Sequence, residues 1–255
     1  MQAISRRSLL GGVALLATAS SLAAATAEQL TVDAGEGRVT VSRFASERSG
    51  KRPAVLVLHG SRGFDLRPQA YGRYAKALTA DGIDAYFVRY YTPADEQAFR
   101  TLTTRETREA YETGRFDVWA ARVSSVLSAV LAGAHSSGRI GLLGFSLGGY
   151  VAAAAAARDE RVSALAVLYG GMPDKIAPQV KHLPPMIELH GEADRNVPLA
   201  SGEALVRLGK SVGAAAEIVR YPGKAHGFDF ADNDPMTADA VNRVAGFFQA
   251  RLNVA

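Results

Sequence analysis

Short apolar runs and amphipathic segments alternate along most of the chain. Runs such as 53–58 and 140–143 are continuously apolar, as is typical of strands buried on both faces. The segment 118–131 instead spaces its apolar residues by about 3.6 positions, which indicates a helix. The pattern predicts strands at 38–44, 52–58, 83–88, 140–143, 164–168, 186–189 and 216–221, and helices at 68–79, 118–131, 151–157, 200–211 and 237–251. Such alternation predicts an α/β fold, a mostly parallel central sheet with helices on both faces and ligands at the carboxyl ends of its strands.

One predicted strand-to-helix junction carries a serine. The run 140–143 meets the letters G-F-S-L-G at 144–148 and passes directly into a stretch of alanines, which leaves almost no room for a loop. A serine in so sharp a turn is forced into a strained backbone conformation that lifts its hydroxyl clear of the sheet. Gly144 and Gly148 remove side chains that would collide as strand and helix close on each other. We therefore predict that Ser146 is a nucleophile.

An acid and a histidine follow in the order that such a serine requires. Asp194 comes in a loop after the strand at 186–189, and His226 comes in a loop after the strand at 216–221. The histidine can take the proton of Ser146, and the acid can fix the histidine tautomer. Taken singly, Asp194 is about as well explained as a turn residue, and His226 as a solvated loop residue, as by a catalytic role. Their order, each after its own strand, favours a triad.

A glycine-rich loop follows the strand predicted at 52–58. Its letters, H-G-S-R-G at 59–63, can supply one backbone N–H to an oxyanion, and the residue after the nucleophile can supply the second. We nominate the amides of Ser61 and Leu147. His59 is expected to pack or form hydrogen bonds beneath the site rather than act as the base.

These motifs resemble the α/β-hydrolase fold and, more narrowly, the dienelactone hydrolase family. The resemblance covers roughly 39–252 and rests on H-G-S-R-G, G-F-S-L-G-G, H-G-E-A-D-x-x-V-P and Y-P-G-K-A-H-G-F in series. It implies hydrolysis of an ester or lactone, with Ser146 in place of the cysteine nucleophile, since the chain has no cysteine. Members of that type also hold a substrate carboxylate with two arginines, at positions that fall on Pro93 and Phe230 here. The resemblance therefore does not extend to dienelactone itself as the substrate.

The segment 90–116 interrupts the regular alternation. It is charged and aromatic, and we predict a helical insert or lid beside the site. One interpretation is substrate selection, with candidate contacts at Arg89, Tyr90, Tyr91 and Phe116. The other is a solvated helix with ion pairs four residues apart, such as Arg105 with Glu109. Trp119, the only tryptophan, is expected to anchor its helix in the core.

The beginning of the chain predicts export. The letters S-R-R-S-L-L at 5–10 resemble a twin-arginine motif, and an apolar stretch at 11–22 leads to A-T-A at 25–27. A membrane anchor is the alternative, but the stretch is short and rich in small residues. We predict a cleaved signal peptide at 1–27 and a single α/β-hydrolase domain at 28–255, located in the periplasm or secreted. Losing two arginines with the signal lowers the net charge from +4 to +2, and no basic stripe indicates nucleic-acid binding.

Two further clusters of polar residues indicate no metal site. Asp229, Asp232 and Asp234 lack the spacing of a calcium loop and are interpreted as a solvated loop. The histidines at 135, 182 and 190 are scattered over separate elements. We expect neither a metal nor another cofactor.

The sequence therefore predicts a serine hydrolase that cleaves a small-molecule ester or lactone through an acyl-enzyme on Ser146. It would bind no nucleic acid, and no membrane after signal cleavage. Alternatives are an acyltransferase or a peptidase on the same fold, since a triad does not specify which nucleophile releases the acyl group. A non-catalytic exported binding protein is a third possibility.

Overall fold

The computed structural model of the protein describes residues 27–252. The predicted export signal lies outside these residues except for Ala27. The chain forms an eight-stranded sheet in the order β1-β2-β4-β3-β5-β6-β7-β8. The strands are β1 Glu28–Asp33, β2 Arg38–Phe44, β3 Arg52–Leu58, β4 Asp84–Arg89, β5 Ser136–Phe145, β6 Val162–Leu168, β7 Met186–Gly191 and β8 Ala216–Tyr221. The helices are α1 Pro68–Ala80, α2 Pro93–Thr101, α3 Arg105–Ala132, α4 Leu147–Ala156, α5 Leu199–Ser211 and, after the last strand, α6 Pro235–Leu252.

The sheet is mostly parallel, as predicted. Only β2 runs against its neighbours, pairing antiparallel with β1 and β4, while the pairs from β4 to β8 are parallel. Every residue of β3 and β7 is buried, and in β3 this burial explains the apolar run from Pro53 to Leu58. β1 was not predicted; most of its side chains are exposed, and it contributes only two apolar residues, Leu30 and Val32, to the core.

The helices cover both faces of the sheet and bury a separate apolar cluster on each. On one face α1 and α6 pack around Tyr74, Leu78 and Phe248. On the other, α3, α4 and α5 pack around a cluster that includes Trp119 and Val151. Trp119 is fully buried, which confirms its predicted role as an anchor. The helices thereby fix the strand ends from both sides.

The segment predicted as an insert or lid forms α2 and the first three turns of α3. The predicted helix at 118–131 is thus only the second half of a helix of 28 residues. The buried carboxylate of Asp95 ties the two helices together, because it accepts hydrogen bonds from Tyr111, Arg115 and Trp119 at 2.7, 2.8 and 3.0 Å. The predicted Arg105–Glu109 ion pair is present on the solvated side, at 2.6 Å. None of the helices within 27–252 is long and apolar enough to cross a membrane.

Candidate active site

Ser146 occupies the turn between β5 and α4. The strand ends at Phe145 and the helix begins at Leu147, so the turn is a single residue long. Ser146 has φ = 53° and ψ = −120°, backbone angles that residues other than glycine rarely adopt. Its amide donates to Leu168 O at 2.9 Å, which ties the strained turn to the neighbouring β6. The predicted strain at this serine is confirmed.

Two glycines allow this turn to close. A Cβ on Gly144 would lie 2.2 Å from Gly148 O, and a Cβ on Gly148 would lie 2.4 Å from the carbonyl oxygens of Leu58 and His59. The first turn of α4 therefore rests directly on the end of β3. This contact places the nucleophile turn beside the loop that begins at His59.

The structure brings Ser146, Asp194 and His226 together from three separate strand ends. His226 Nε2 lies 2.9 Å from Ser146 Oγ, and His226 Nδ1 lies 2.7 Å from Asp194 Oδ2. A carboxylate can only accept, so Nδ1 carries the hydrogen and Nε2 is free to accept the serine proton. Such an arrangement can activate a serine hydroxyl for nucleophilic attack.

Asp194 is held by more than its histidine. Its Oδ1 accepts from the amides of Asn196 and Val197 at 2.8 and 2.9 Å, and the side chain is fully buried. Burial alone would raise the pKa of Asp194, but the hydrogen bonds from His226 and from the loop amides outweigh burial and lower it. The carboxyl group therefore stays ionised opposite His226.

Two tyrosines on the core side of the loop after β3 form hydrogen bonds with its backbone. Tyr90 donates its hydroxyl to His59 O at 2.9 Å, and Tyr71 accepts from the Gly60 amide at 3.2 Å. Within residues 27–252 the amides of Ser61 and Leu147 donate to no other protein group, so both are available for a ligand. His59 is buried and stacked on Tyr90 at 4.3 Å between ring centroids, and burial lowers its pKa to about 4. It packs beneath the loop, as expected.

The predicted substrate contacts have different surroundings. Arg89 is engaged in a two-pronged ion pair with Asp65 at 2.7 and 3.0 Å. Tyr90 is fully buried and supports the loop, so it offers no open wall. Tyr91 and Phe116 are partly buried, and Phe116 packs 6.1 Å from the ring of Tyr150, one helical turn beyond Ser146. The last two stay predictions.

The interpretation of the loop after His226 as solvated is wrong for Asp229. That carboxyl is fully buried, and its Oδ2 accepts from Tyr74 at 2.7 Å. Asp232 does face solvent, paired with Arg73, and Asp234 pairs with Lys224. No local sequence signal distinguishes Asp229, because its partner lies 155 residues away.

Three polar residues near the triad were not predicted as part of the site. Tyr169 has φ = 42° and packs its ring 4.6 Å from that of His226. Glu188 and His190 are buried on β7, directly before the loop of Asp194. Their only sequence signal is their polarity inside a fully buried strand. Within the part of the chain that the structure describes, no three His, Cys, Asp or Glu residues are grouped to hold a metal ion.

Solved structures with the same fold are numerous. A dienelactone hydrolase from Anabaena variabilis is 20% identical with a TM-score of 0.70, covering 89% of this chain and 99% of that one. A thermophilic carboxylesterase from a metagenomic library is 16% identical with a TM-score of 0.68, covering 89% of each chain. An acylaminoacyl peptidase from Pyrococcus horikoshii, 14% identical with a TM-score of 0.68, is matched over 89% of this chain and 42% of that one.

At these identities the likeness establishes the α/β-hydrolase fold alone. A comparison with curated protein sequences finds no match. The sequence profile of the dienelactone hydrolase family, in contrast, matches residues 41–252, the region that contains Ser146, Asp194 and His226. The chain belongs to the dienelactone hydrolase family.

Proposed function

We propose that the protein is a serine hydrolase that cleaves an ester or lactone through an acyl-enzyme on Ser146. The observation that supports this most directly is the continuous chain of hydrogen bonds from Asp194 through His226 to Ser146, at 2.7 and 2.9 Å. The hydrolase family and the strained conformation of the serine support the same conclusion.

In the first half of the reaction, His226 Nε2 takes the proton of Ser146 as Oγ attacks the carbonyl carbon. The developing imidazolium is stabilised by Asp194, and the amides of Ser61 and Leu147 hold the oxyanion. As the tetrahedral intermediate collapses, the bond to the leaving oxygen breaks and Nε2–H protonates that oxygen. The acyl group then remains on Oγ.

In the second half, water repeats these steps. Nε2 takes a proton from the water that attacks the acyl carbon, and the second tetrahedral intermediate releases the acid while Oγ recovers its proton from Nε2. The free enzyme is restored without any redox change or metal.

The substrate we propose needs no free carboxylate. Pro93 begins α2, and Phe230 packs its ring against those of Tyr71, Phe145 and Tyr169, so neither supplies a positive charge. Arg89, the nearest arginine in the sequence, is neutralised by its carboxylate partner. A neutral ester or lactone fits these surroundings better than an anionic one.

Labelling with a fluorophosphonate, followed by intact-mass analysis and peptide mapping, tests the nucleophile. We expect one adduct per chain on Ser146 and none in the His226→Ala variant. No adduct on folded wild-type protein would contradict the proposal and favour a binding protein. Product analysis with added alcohols then separates hydrolysis from acyl transfer, because an acyltransferase would favour the alcohol over water.

We also propose that the protein is exported as a folded domain after a twin-arginine signal. The motif at 5–10 and the A-T-A letters at 25–27 support this proposal. Replacing Arg6 and Arg7 together by lysine keeps the charge but changes the motif. The variant should accumulate uncleaved in the cytoplasm; equal export of both forms would refute the proposal.

A further inference from the structure

Glu188 and His190 form a buried pair directly behind the triad. They are two residues apart on β7, so their side chains lie on the same face of the sheet. His190 Nδ1 lies 2.7 Å from Glu188 Oε1, and both side chains are fully buried. An acid and a base buried in an apolar strand are costly, and apolar residues of similar size commonly replace such pairs without loss of stability.

The hydrogen bonds around His190 fix its protons. Nε2 lies 3.0 Å from Val197 O, and because a carbonyl oxygen only accepts, Nε2 carries a hydrogen. At Nδ1 one further proton lies between the ring and Glu188. The pair therefore holds one shared proton, which gives His190 part of the character of an imidazolium. Burial raises the pKa of Glu188 to about 7, and the contact with Glu188 raises that of His190 against the effect of burial.

The same Nε2 faces the triad. It lies 3.6 Å from Asp194 Oδ2, the oxygen that accepts from His226. Val197 contributes to both sides, since its carbonyl accepts from His190 and its amide donates to Asp194 Oδ1. His190 thus lies close to Asp194 directly and is also connected to it by hydrogen bonds to the loop that carries Asp194.

The surroundings keep the pair sealed and isolated. A Cβ on Gly202 of α5 would lie 2.4 Å from Glu188 Oε1 and 2.7 Å from His190 Nδ1, so only glycine lets the helix cover them. From the loop after β6, the Gly170 amide donates to Glu188 Oε1 at 3.3 Å. Within residues 27–252, the other ionisable groups that face the pair are Asp194 and, from α4, the Tyr150 phenol.

We propose that Glu188 and His190 are positioning residues of the triad, which together hold Asp194 ionised and turned toward His226. The inference rests on the proposed function, because it assigns Asp194 as the acid of that triad. It places two further residues behind the hydrogen-bonded chain that runs from Ser146 to Asp194, joined to it through Val197 and the 3.6 Å contact with Asp194.

The test compares the pH dependence of ester hydrolysis in wild type, Glu188→Gln and His190→Gln. Glutamine at 188 still contacts Nδ1 but leaves His190 neutral, whereas glutamine at 190 can still donate to Val197 O without a charge. We expect kcat to fall by roughly tenfold with KM nearly unchanged, since a misplacement of about 1 Å can cost about 10²-fold. The acid limb of kcat/KM should also move up by about 0.5–1 pH unit, because Asp194 then lacks the partial positive charge that His190 presents to it at 3.6 Å and is protonated more readily.

Glu192→Gln is the matched control. It makes the same chemical change two residues from Asp194, but at an exposed position, and should leave rate and pH profile as in wild type. A folded Glu188→Gln variant with a superimposable pH profile would overturn the inference. So would a lower kcat without movement of the acid limb, because loss of packing alone produces that result.

Proton NMR provides a readout independent of turnover and of the stability of the variants. Wild type should show two strongly downfield imidazole N–H resonances, one from His226 and one from His190. The His226 resonance should weaken in Glu188→Gln or, if that variant does not fold, in His190→Gln. A single such resonance in wild type would refute the shared proton. Absence of labelling and turnover in wild type, with both resonances present, would refute the proposed function instead.

Discussion

Replacing Gly148 by alanine tests whether the contact between α4 and β3 sets the site geometry. The new Cβ would lie 2.4 Å from two backbone carbonyl oxygens, those of Leu58 and His59. Carbon and carbonyl oxygen approach no closer than about 3.3 Å in favourable contacts, so helix and strand must separate by roughly 1 Å. Backbone cannot give way as a flexible side chain can, and the separation therefore acts on the whole junction.

That separation affects catalysis more than stability. The amides of Ser61 and Leu147 lie on opposite sides of the junction, so moving them apart misplaces one oxyanion donor, which is expected to lower kcat/KM by about 10²-fold. Overpacking of this kind destabilises by about 1–3 kcal/mol. At about 2–4 °C per kcal/mol for a domain of this size, Tm should fall by about 2–12 °C.

Steady-state hydrolysis of a p-nitrophenyl ester and thermal unfolding measure the two effects. Gly72→Ala is the matched control: Gly72 lies inside α1 with nothing within 4 Å of its would-be Cβ, so alanine should stabilise by about 0.5–1 kcal/mol and leave turnover unchanged. A folded Gly148→Ala variant with kcat/KM within threefold of wild type would show that this contact does not set the oxyanion geometry.

Three further changes probe separate parts of the molecule. Ser146→Ala should lower kcat for esters by about 10⁶-fold, and largely intact turnover would exclude Ser146 as the nucleophile. Burial raises the pKa of Glu112 from 4.5 to about 7. Between pH 4.5 and about 7 the folded protein therefore holds a proton that the unfolded chain has lost, and stability falls as the pH rises through this range. Glu112→Gln should therefore raise Tm at pH 8 but not at pH 4.5, and an equal change at both pH values would contradict this burial. Asp95→Ala should lower stability by about 1–3 kcal/mol because it leaves the buried indole of Trp119 without its acceptor and the partly buried guanidinium of Arg115 with Glu36 alone; denaturant unfolding showing a loss below about 1 kcal/mol would refute that role.

The fold could be predicted from the sequence wherever burial was strong. Strand β3 is buried along its whole length and shows as a continuous apolar run from Pro53 to Leu58. The exposed edge strand β1 lacks such a pattern and was missed, whereas the solvated first half of α3 was predicted only as part of a helical insert, without helix bounds of its own. Hydrophobic periodicity arises where an element packs against the core, so elements that make little contact with the core have little periodicity in their sequence.

The candidate site divides in the same way. Ser146, Asp194 and His226 could be predicted because each follows a recognisable strand, and parallel strands bring their carboxyl ends to one edge. The burial of Asp229 could not, because it depends on Tyr74 from a distant helix. Spacing along the chain predicts which loops meet, whereas partners beneath those loops depend on the packing of the finished fold.

The groups beneath the site nevertheless have a common physical origin. Active-site loops are irregular, so their backbone groups need partners that regular pairing does not supply. Here the buried hydroxyl of Tyr90 donates a hydrogen bond to His59 O, and buried His190 donates one to Val197 O. Such side chains must sit within apolar elements, where they are costly unless paired. Glu188 and His190, inside M-I-E-L-H-G at 186–191, were therefore a usable sequence signal for groups that support the site. Polar residues in a strand that is buried on both faces indicate that the strand holds a neighbouring loop in place.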